Sequence, residues 1–97
     1  MVVKYSVLWS KEANLQVERI FNFIKENWSD KEAENFLDLL FHFEKTIALF
    51  PNSFKTSKKF KDCRLGLVHK HVTAIYKIDG NQIVVLTILD NRSKIKK

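Results

Sequence analysis

The strongest constraint on the fold is a junction between two helical patterns at residues 29–32, Ser-Asp-Lys-Glu. Ser29 followed by Glu32 has the spacing of a capping box, in which each side chain accepts the backbone N–H of the other residue. One helix therefore ends just before the junction, and a second starts at once and runs to about Phe50, ahead of Pro51. So short a connection predicts an antiparallel helical hairpin.

The first of these helices is predicted from the spacing of its apolar residues. They recur at steps of four, three, one, three and four, which places them in one stripe of a helix with 3.6 residues per turn. Ser10 precedes the pattern and is a typical helix N-cap. The stripe consists of Ala13, Val17, Ile20, Phe21, Ile24 and Trp28.

Strand-like segments lie on both sides of the helical hairpin. Residues 2–9 are rich in β-branched and aromatic side chains, and residues 64–69, 72–79 and 83–89 follow the helices as three further runs. A tight-turn sequence, Asp-Gly-Asn, separates the last two runs. The nearly continuous apolar run from Ile83 to Leu86 predicts a central strand that is covered on both faces.

These elements predict an α+β fold in a single domain, residues 1–97. One N-terminal strand, an antiparallel helical hairpin and a three-strand meander follow one another along the chain. The helices are expected to pack on one face of a mostly antiparallel sheet.

The second helix carries more apolar surface than one core face needs. The excess predicts either burial between the first helix and the sheet, or a surface kept for a partner. Whatever the mechanism of the protein, this excess predicts that the isolated chain self-associates or is poorly soluble. Its apolar residues include Ala33, Phe36, Leu37, Leu39, Leu40, Phe41, Phe43, Ile47, Leu49 and Phe50.

Charge is distributed unevenly along the chain. Residues 1–54 contain six Lys or Arg against eight Asp or Glu, whereas residues 55–97 contain eleven against three, within a net charge of +6. A concentration of cations on the strand-forming half is typical of a surface that binds a polyanion, most often nucleic acid. A basic surface that serves only solubility is the alternative.

Several classes of protein are disfavoured by composition. One cysteine, Cys63, excludes an internal disulfide and is expected to be a small, half-buried strand residue. No Cys and His residues have the spacing of a zinc site, so neither a metal nor another cofactor is expected. There is no signal-peptide pattern and no apolar run approaching the roughly 18 residues of a membrane helix. We expect a soluble, cytoplasmic protein.

The candidate chemistry lies on the basic half of the chain. A concave surface there could grip phosphates, or could cleave RNA without metal if a base, an acid and phosphate-binding cations converge. His69 and His71 near its rim are either the acid and base or simply solvated. Tyr76 is interpreted as a core tyrosine. The surface is predicted to comprise Lys58, Lys59, Lys61, Arg64, Lys70 and Arg92.

Taken together, the segments resemble the toxins of the RelE/ParE superfamily of bacterial type II toxin–antitoxin systems. The likeness covers nearly the whole chain, and the lysines after Arg92 resemble a subgroup of small plasmid-stabilisation proteins. The matching segments are residues 5–10 (Tyr-Ser-Val-Leu-Trp-Ser), 28–33 (Trp-Ser-Asp-Lys-Glu-Ala), 48–51 (Ala-Leu-Phe-Pro), Arg64 with the strand through Tyr76, and 88–92 (Ile-Leu-Asp-Asn-Arg).

The resemblance implies different targets in its two branches. RelE-like members cut mRNA on the ribosome with a cluster of basic residues, whereas ParE-like members inhibit DNA gyrase; an antitoxin protein neutralises both. Arg64 and Arg92 match basic positions of the RelE-like pattern. Gly66 and Thr73 stand where that branch is often basic, and no Tyr or His follows Arg92 in this sequence.

The leading hypothesis is a toxin that cleaves mRNA on the ribosome as a metal-independent endoribonuclease. Arg64 and Arg92 would contact the scissile phosphate, assisted by Lys61 or Lys70. The alternatives are a ParE-like gyrase inhibitor without nuclease activity, or a degenerate, non-toxic module that only binds its antitoxin. The residues predicted to bind nucleic acid are Lys58, Lys59, Lys61, Lys70 and Lys94.

Overall fold

A computed structural model describes residues 4–90 of the chain. Its elements follow the predicted order of one strand, two helices and three strands. They are β1 (Ser6–Trp9), α1 (Lys11–Asn27), α2 (Asp30–Leu49), β2 (Arg64–His69), β3 (Val72–Asp79) and β4 (Gln82–Asp90). The predicted α+β fold with its helical hairpin is confirmed. That residues 1–97 form one domain stays a prediction, because it extends beyond the described residues.

The four strands form one mixed sheet in the order β1-β4-β3-β2. β1 is parallel to β4, with Ser6 opposite Gln82, and the other two pairings are antiparallel. β4 is an inner strand along its first four residues, as its apolar run predicts. The prediction that both faces of this strand are covered is only partly correct, because Ile83 and Val85 are buried while Val84 and Leu86 are half-buried.

Both helices begin at a serine cap. The Ser10 hydroxyl accepts the Ala13 N–H at 2.9 Å, and the Ser29 hydroxyl accepts the Glu32 N–H at 3.1 Å. The other half of the predicted capping box is wrong: the Ser29 N–H donates to the Ile24 carbonyl at 3.3 Å instead. The end of α1 therefore satisfies this N–H, and a backbone hydrogen bond connects the end of α1 to the cap of α2.

The core lies between the helical hairpin and one face of the sheet. Phe36, Phe43 and Ile47 of α2 are buried against it, together with the sheet residues Tyr76 and Val85. Burial of such side chains stabilises the fold by about 1.5–3 kcal/mol each. A hydrophobic face on each layer is what makes the two layers pack.

Gly66 lets α2 lie close to β2. A Cβ built at this position would collide with the Phe43 ring and lie 3.2 Å from the Tyr76 ring. A larger residue could be accommodated only by shifting those rings. The position that the RelE-like pattern often fills with a basic residue therefore has no room for one.

The apolar surface of α2 is divided between the core and the outside. Leu37 is 41% exposed, Phe41 60%, Leu49 40% and Phe50 60%. Glu44, the one charged residue in the inner stripe, accepts the indole N–H of Trp9 at 2.9 Å. The buried part of α2 agrees with the first alternative, whereas a partner surface on its exposed part stays a prediction. Among residues 4–90, no helix is long and apolar enough to cross a membrane.

Candidate functional site

Arg64, the central predicted catalytic residue, lies at the start of β2 opposite Tyr76. Its side chain is half-buried, and one guanidinium nitrogen donates to the Phe54 carbonyl at 2.6 Å. This bond joins the start of the sheet to the chain that follows α2. Because a guanidinium has five N–H donors, others remain for a ligand. Arg64 is therefore at least partly a structural residue.

Tyr76 is a fully buried core residue, as the sequence interpretation proposes. Its hydroxyl donates to the Pro51 carbonyl at 2.7 Å, and its ring makes edge contacts with Phe43 and Phe54 at centroid distances of 6.1 and 6.5 Å. Burial raises the pKa of Tyr76 above 10.0, and the nearby Arg64 charge offsets only part of that effect. The phenol is therefore a neutral hydrogen-bond donor and a poor acid or base.

The connection between α2 and β2 is held by several backbone bonds. Thr56 forms a bridge with Arg64, the Leu65 N–H donates to the Lys55 carbonyl at 3.0 Å, and the Ser57 N–H donates to the Cys63 carbonyl at 2.8 Å. Cys63 is buried and lies just before β2, so its predicted half-buried strand position is wrong.

This connection presents three of the predicted lysines. Lys58, Lys59 and Lys61 are all exposed, and the Lys59 ammonium lies 5.5 Å from the centre of the Phe60 ring. They are grouped at the same end of β2 as Arg64. The structure therefore brings together one part of the predicted basic surface.

The cavity beside Arg64 has mixed charge. Arg64 and Lys77 share its lining with the carboxylates Asp62 and Asp79. Like charges repel, so these two acidic groups oppose the binding of a phosphate at this place. Residues 55–97 contain eleven cationic and three acidic side chains. Two of these three acidic side chains line the cavity beside Arg64, which the sequence pattern does not show.

Lys70 lies at the opposite end of β2, exposed in the turn before β3. Six strand steps separate it from Arg64, which is about 20 Å at roughly 3.3 Å per residue. One phosphate cannot contact both. The predicted single concave surface that contains both residues is therefore wrong; the described basic residues form two separate groups.

The two histidines lie with Lys70. The His69 and His71 rings have a centroid distance of 5.8 Å, and the His71 N–H approaches the His69 ring nitrogen at 3.4 Å. Asp90, the last described residue, pairs with Val72 at this same end of the sheet. Arg92 and Lys94 lie outside the described residues. Among residues 4–90, no group of three His, Cys, Asp or Glu side chains could hold a metal ion.

Sequence reasoning missed a groove between α1 and the second half of β4. Its lining includes Glu12, Arg19, Phe23 and Leu89. Of these, only Leu89 belongs to the basic half of the chain, residues 55–97, to which the charge pattern draws attention. The sequence carries no sign of it, because the first predicted strand, residues 2–9, is at least as long as the last, residues 83–89. In the structure β1 spans only Ser6–Trp9, whereas β4 spans Gln82–Asp90. That difference becomes visible only when the pairing register is known.

The fold and its segments match a known family of proteins. The sequence model of the ParE toxin of the type II toxin–antitoxin system, parDE, matches residues 7–95. The chain therefore belongs to the ParE toxin family, within the RelE/ParE superfamily, and is the toxin of a type II toxin–antitoxin system. No curated protein matches the sequence.

Solved structures show the same fold at low sequence identity. A chain of the chromosomal ParDE system of P. aeruginosa has a TM-score of 0.77 at 13% identity, over 90% of this chain and 96% of that one. The RelBE2 complex of Mycobacterium tuberculosis gives 0.63 at 13%, over 91% and 99%. The DinJ-YafQ complex of E. coli gives 0.58 at 13%, over 97% and 100%.

Proposed function

We propose that this toxin arrests growth by binding a protein, DNA gyrase, and that it does not cut mRNA. The observation that carries the proposal is the separation of Arg64 from Lys70 by the length of β2. Membership in the ParE family supports the same target, because the resemblance implies gyrase inhibition for ParE-like toxins.

Metal-free RNA cleavage requires more than positive charge. Cations must stabilise the phosphorane at the point where an acid and a base act on the same phosphate. Arg64 uses one donor on the Phe54 carbonyl and shares its cavity with two carboxylates. Tyr76 beside it is buried, hydrogen-bonded and held neutral. Among residues 4–90, the groups described beside Arg64 therefore do not form the combination of cations, acid and base that a nuclease needs.

A cognate antitoxin is part of the proposal. The RelBE2 and DinJ-YafQ structures are toxin–antitoxin complexes. The exposed apolar residues Phe41 and Phe50 on this chain are suited to a protein partner, and its net charge of +6 favours an acidic one.

Ribosome-dependent mRNA cleavage is the second candidate. It is favoured by the group formed by Lys70, His69 and His71, since imidazoles are the side chains best suited to proton transfer near neutral pH. A nuclease site at this end of the sheet would use Lys70 and not Arg64.

The test is induced expression of the chain alone in a bacterial host, together with a supercoiling assay of the purified protein. We expect growth arrest, induction of a DNA-damage reporter, intact mRNA and inhibited gyrase. The double variant Lys70→Ala with His71→Ala should arrest growth as the wild type does. Cuts within translated codons, or loss of arrest in the double variant, would favour the nuclease. Absence of arrest with the wild type would favour a non-toxic antitoxin-binding module.

A further inference from the structure

One face of the sheet lies outside the core. Paired residues of neighbouring strands share a face of the sheet, and so do alternate residues of one strand. Leu8 lies opposite Val84 at one edge of the sheet. Leu67 lies opposite Thr73 at the other edge. None of these four residues belongs to the core cluster or packs against it, whereas Tyr76 belongs to it and lies on the opposite face. We call the face that carries Leu8 and Leu67 the open face.

The open face is mainly apolar, although strands of the basic half of the chain supply most of it. Three rows of three paired residues cross it, and Lys77 is the one charged side chain among these nine. Two others are the threonines Thr73 and Thr87. The charge of this surface therefore differs from that of the segments that build it. The six apolar residues are Leu8, Leu65, Leu67, Ile75, Val84 and Leu89.

Apolar side chains of the open face are accessible at both edges of the sheet. Leu8 is 51% exposed on β1, and Leu67 is 58% exposed on β2. Val84 and Leu65 between them are half-buried, and Ile75 in the middle is buried. A surface that binds phosphates needs several cations, and one lysine does not provide them. An exposed apolar surface is instead typical of a site that binds protein.

The open face is too small to form an interface by its apolar residues alone. Its nine paired residues extend about 14 Å across the sheet at roughly 4.8 Å per strand, and about 13 Å along it at roughly 3.3 Å per residue. The resulting area of about 180 Å² is about a quarter of the roughly 800 Å² that each partner contributes to a standard interface. A stable complex must therefore also include the polar rim of this face.

The charge of the rim determines which partner fits. Thr56 pairs with Arg64, so the connection before β2 borders the open face at the β2 edge of the sheet. Two copies of this chain would bring the cations of this corner together and repel each other. A partner that has carboxylates around an apolar patch would be attracted. The cations of the corner are Lys58, Lys59, Lys61, Arg64 and Lys77, which outnumber the carboxylates Asp62 and Asp79.

We propose that the open face binds DNA gyrase, and that it contacts an apolar gyrase surface bordered by carboxylates. The inference rests on the proposed function, which makes gyrase the target, and it adds the surface of the toxin that the target occupies. Such a site has the usual anatomy of a protein interface, which is an apolar centre within a polar and charged rim. Leu8 and Leu67 are the apolar side chains of this face that binding would bury most.

A matched pair of variants in the gyrase supercoiling assay tests the apolar centre. Leu67→Glu should raise the toxin concentration that half-inhibits gyrase by about tenfold or more, because it places a charge in an apolar contact. Leu15→Glu makes the same change on α1, where Leu15 is 45% exposed, and should change that concentration by less than about threefold. Urea midpoints check that both variants fold. Equal inhibition by the two folded variants would overturn the inference.

A second matched pair tests the charge of the partner. Lys77→Glu should weaken inhibition by about fivefold or more at low salt, because it replaces an attraction to carboxylates with a repulsion. Lys25→Glu makes the same change at an exposed position of α1 and should have less than about half of that effect. Added salt should reduce the difference between the two variants. Stronger inhibition by Lys77→Glu than by the wild type would show that the gyrase surface is basic, which contradicts the inference.

Three other outcomes would also overturn the inference. If Leu67→Glu inhibits gyrase as the wild type does but binds the product of the adjacent reading frame at least tenfold more weakly, the open face belongs to the antitoxin. If the variant changes only the rise of molecular mass with toxin concentration, the face belongs to a second copy of this chain. If the wild type itself does not inhibit gyrase, the proposed function fails as well. This last outcome differs from the others because no variant then has an inhibition to compare.

Discussion

At the scale of residues, the region around Arg64 is built for stability. Arg64 and Tyr76 each donate to a backbone carbonyl of the chain that follows α2, Phe54 and Pro51 respectively. Such carbonyls lie where no regular secondary structure satisfies them, so side-chain donors take that role. The pair holds the end of the helical hairpin against the sheet.

Tyr76→Phe should destabilise the protein by about 1–2 kcal/mol, because the Pro51 carbonyl loses its donor. The pKa of Tyr76 is raised by burial, so the folded state keeps its proton at a pH where the unfolded state loses it. The stability due to this proton is complete below about pH 10 and is lost as the pH rises toward the folded pKa. Urea unfolding between pH 8 and 11, in steps of about one unit, should therefore show a steeper alkaline decline in the free energy of unfolding for the wild type than for Tyr76→Phe. Parallel declines would contradict this.

At the scale of elements, the hydroxyls of the two serine caps make different numbers of hydrogen bonds. Ser29 satisfies one N–H at the start of α2. Ser10 satisfies one at the start of α1 and also donates its hydroxyl to Leu86 of β4. The second bond connects residues that are 76 positions apart, so it helps to hold α1 on the sheet.

Ser29→Ala should lower the free energy of unfolding by about 1 kcal/mol, the usual effect of losing an N-cap. Ser10→Ala should lower it by about twice as much, because a cap and an inter-element hydrogen bond are lost together. Denaturant midpoints of the two variants measure the difference. Each serves as the control for the other, and equal midpoints would show that the bond to Leu86 contributes little.

At the scale of the whole molecule, surface apolar residues and charge are both distributed unevenly. Phe41 and Phe50 are each 60% exposed on or beside α2, and the Lys45 ammonium lies 4.6 Å from the centre of the Phe41 ring. Exposed aromatic residues of this kind mark interaction surfaces or promote association. The chain alone is therefore expected to be less soluble than in a complex.

The isolated toxin should show an apparent molecular mass that rises with concentration in light scattering. Phe41→Ser should reduce this rise, because it removes the most exposed ring of α2 itself. Leu15→Ser is the control, since Leu15 is 45% exposed on α1 and apart from that surface. A wild-type chain that remains monomeric at all concentrations would contradict the prediction.

Much of the fold could be predicted from local patterns. Helical spacing and serine caps marked α1 and α2, and β-branched runs with a turn sequence marked β3 and β4. These features act between residues close in sequence, so they are visible without any tertiary information. The second half of the capping box was wrong because the end of α1 competes for the Ser29 N–H.

The candidate site was less predictable, because it depends on distances between residues far apart in sequence. Sequence alone determined the order of the elements, the basic second half and the family resemblance. Tertiary structure decided that Arg64 and Lys70 lie at opposite ends of β2, that Asp62 and Asp79 share the cavity of Arg64, and that β1 leaves half of β4 uncovered. The physical reason is that strand register and packing set these distances, and both arise only when the whole chain folds.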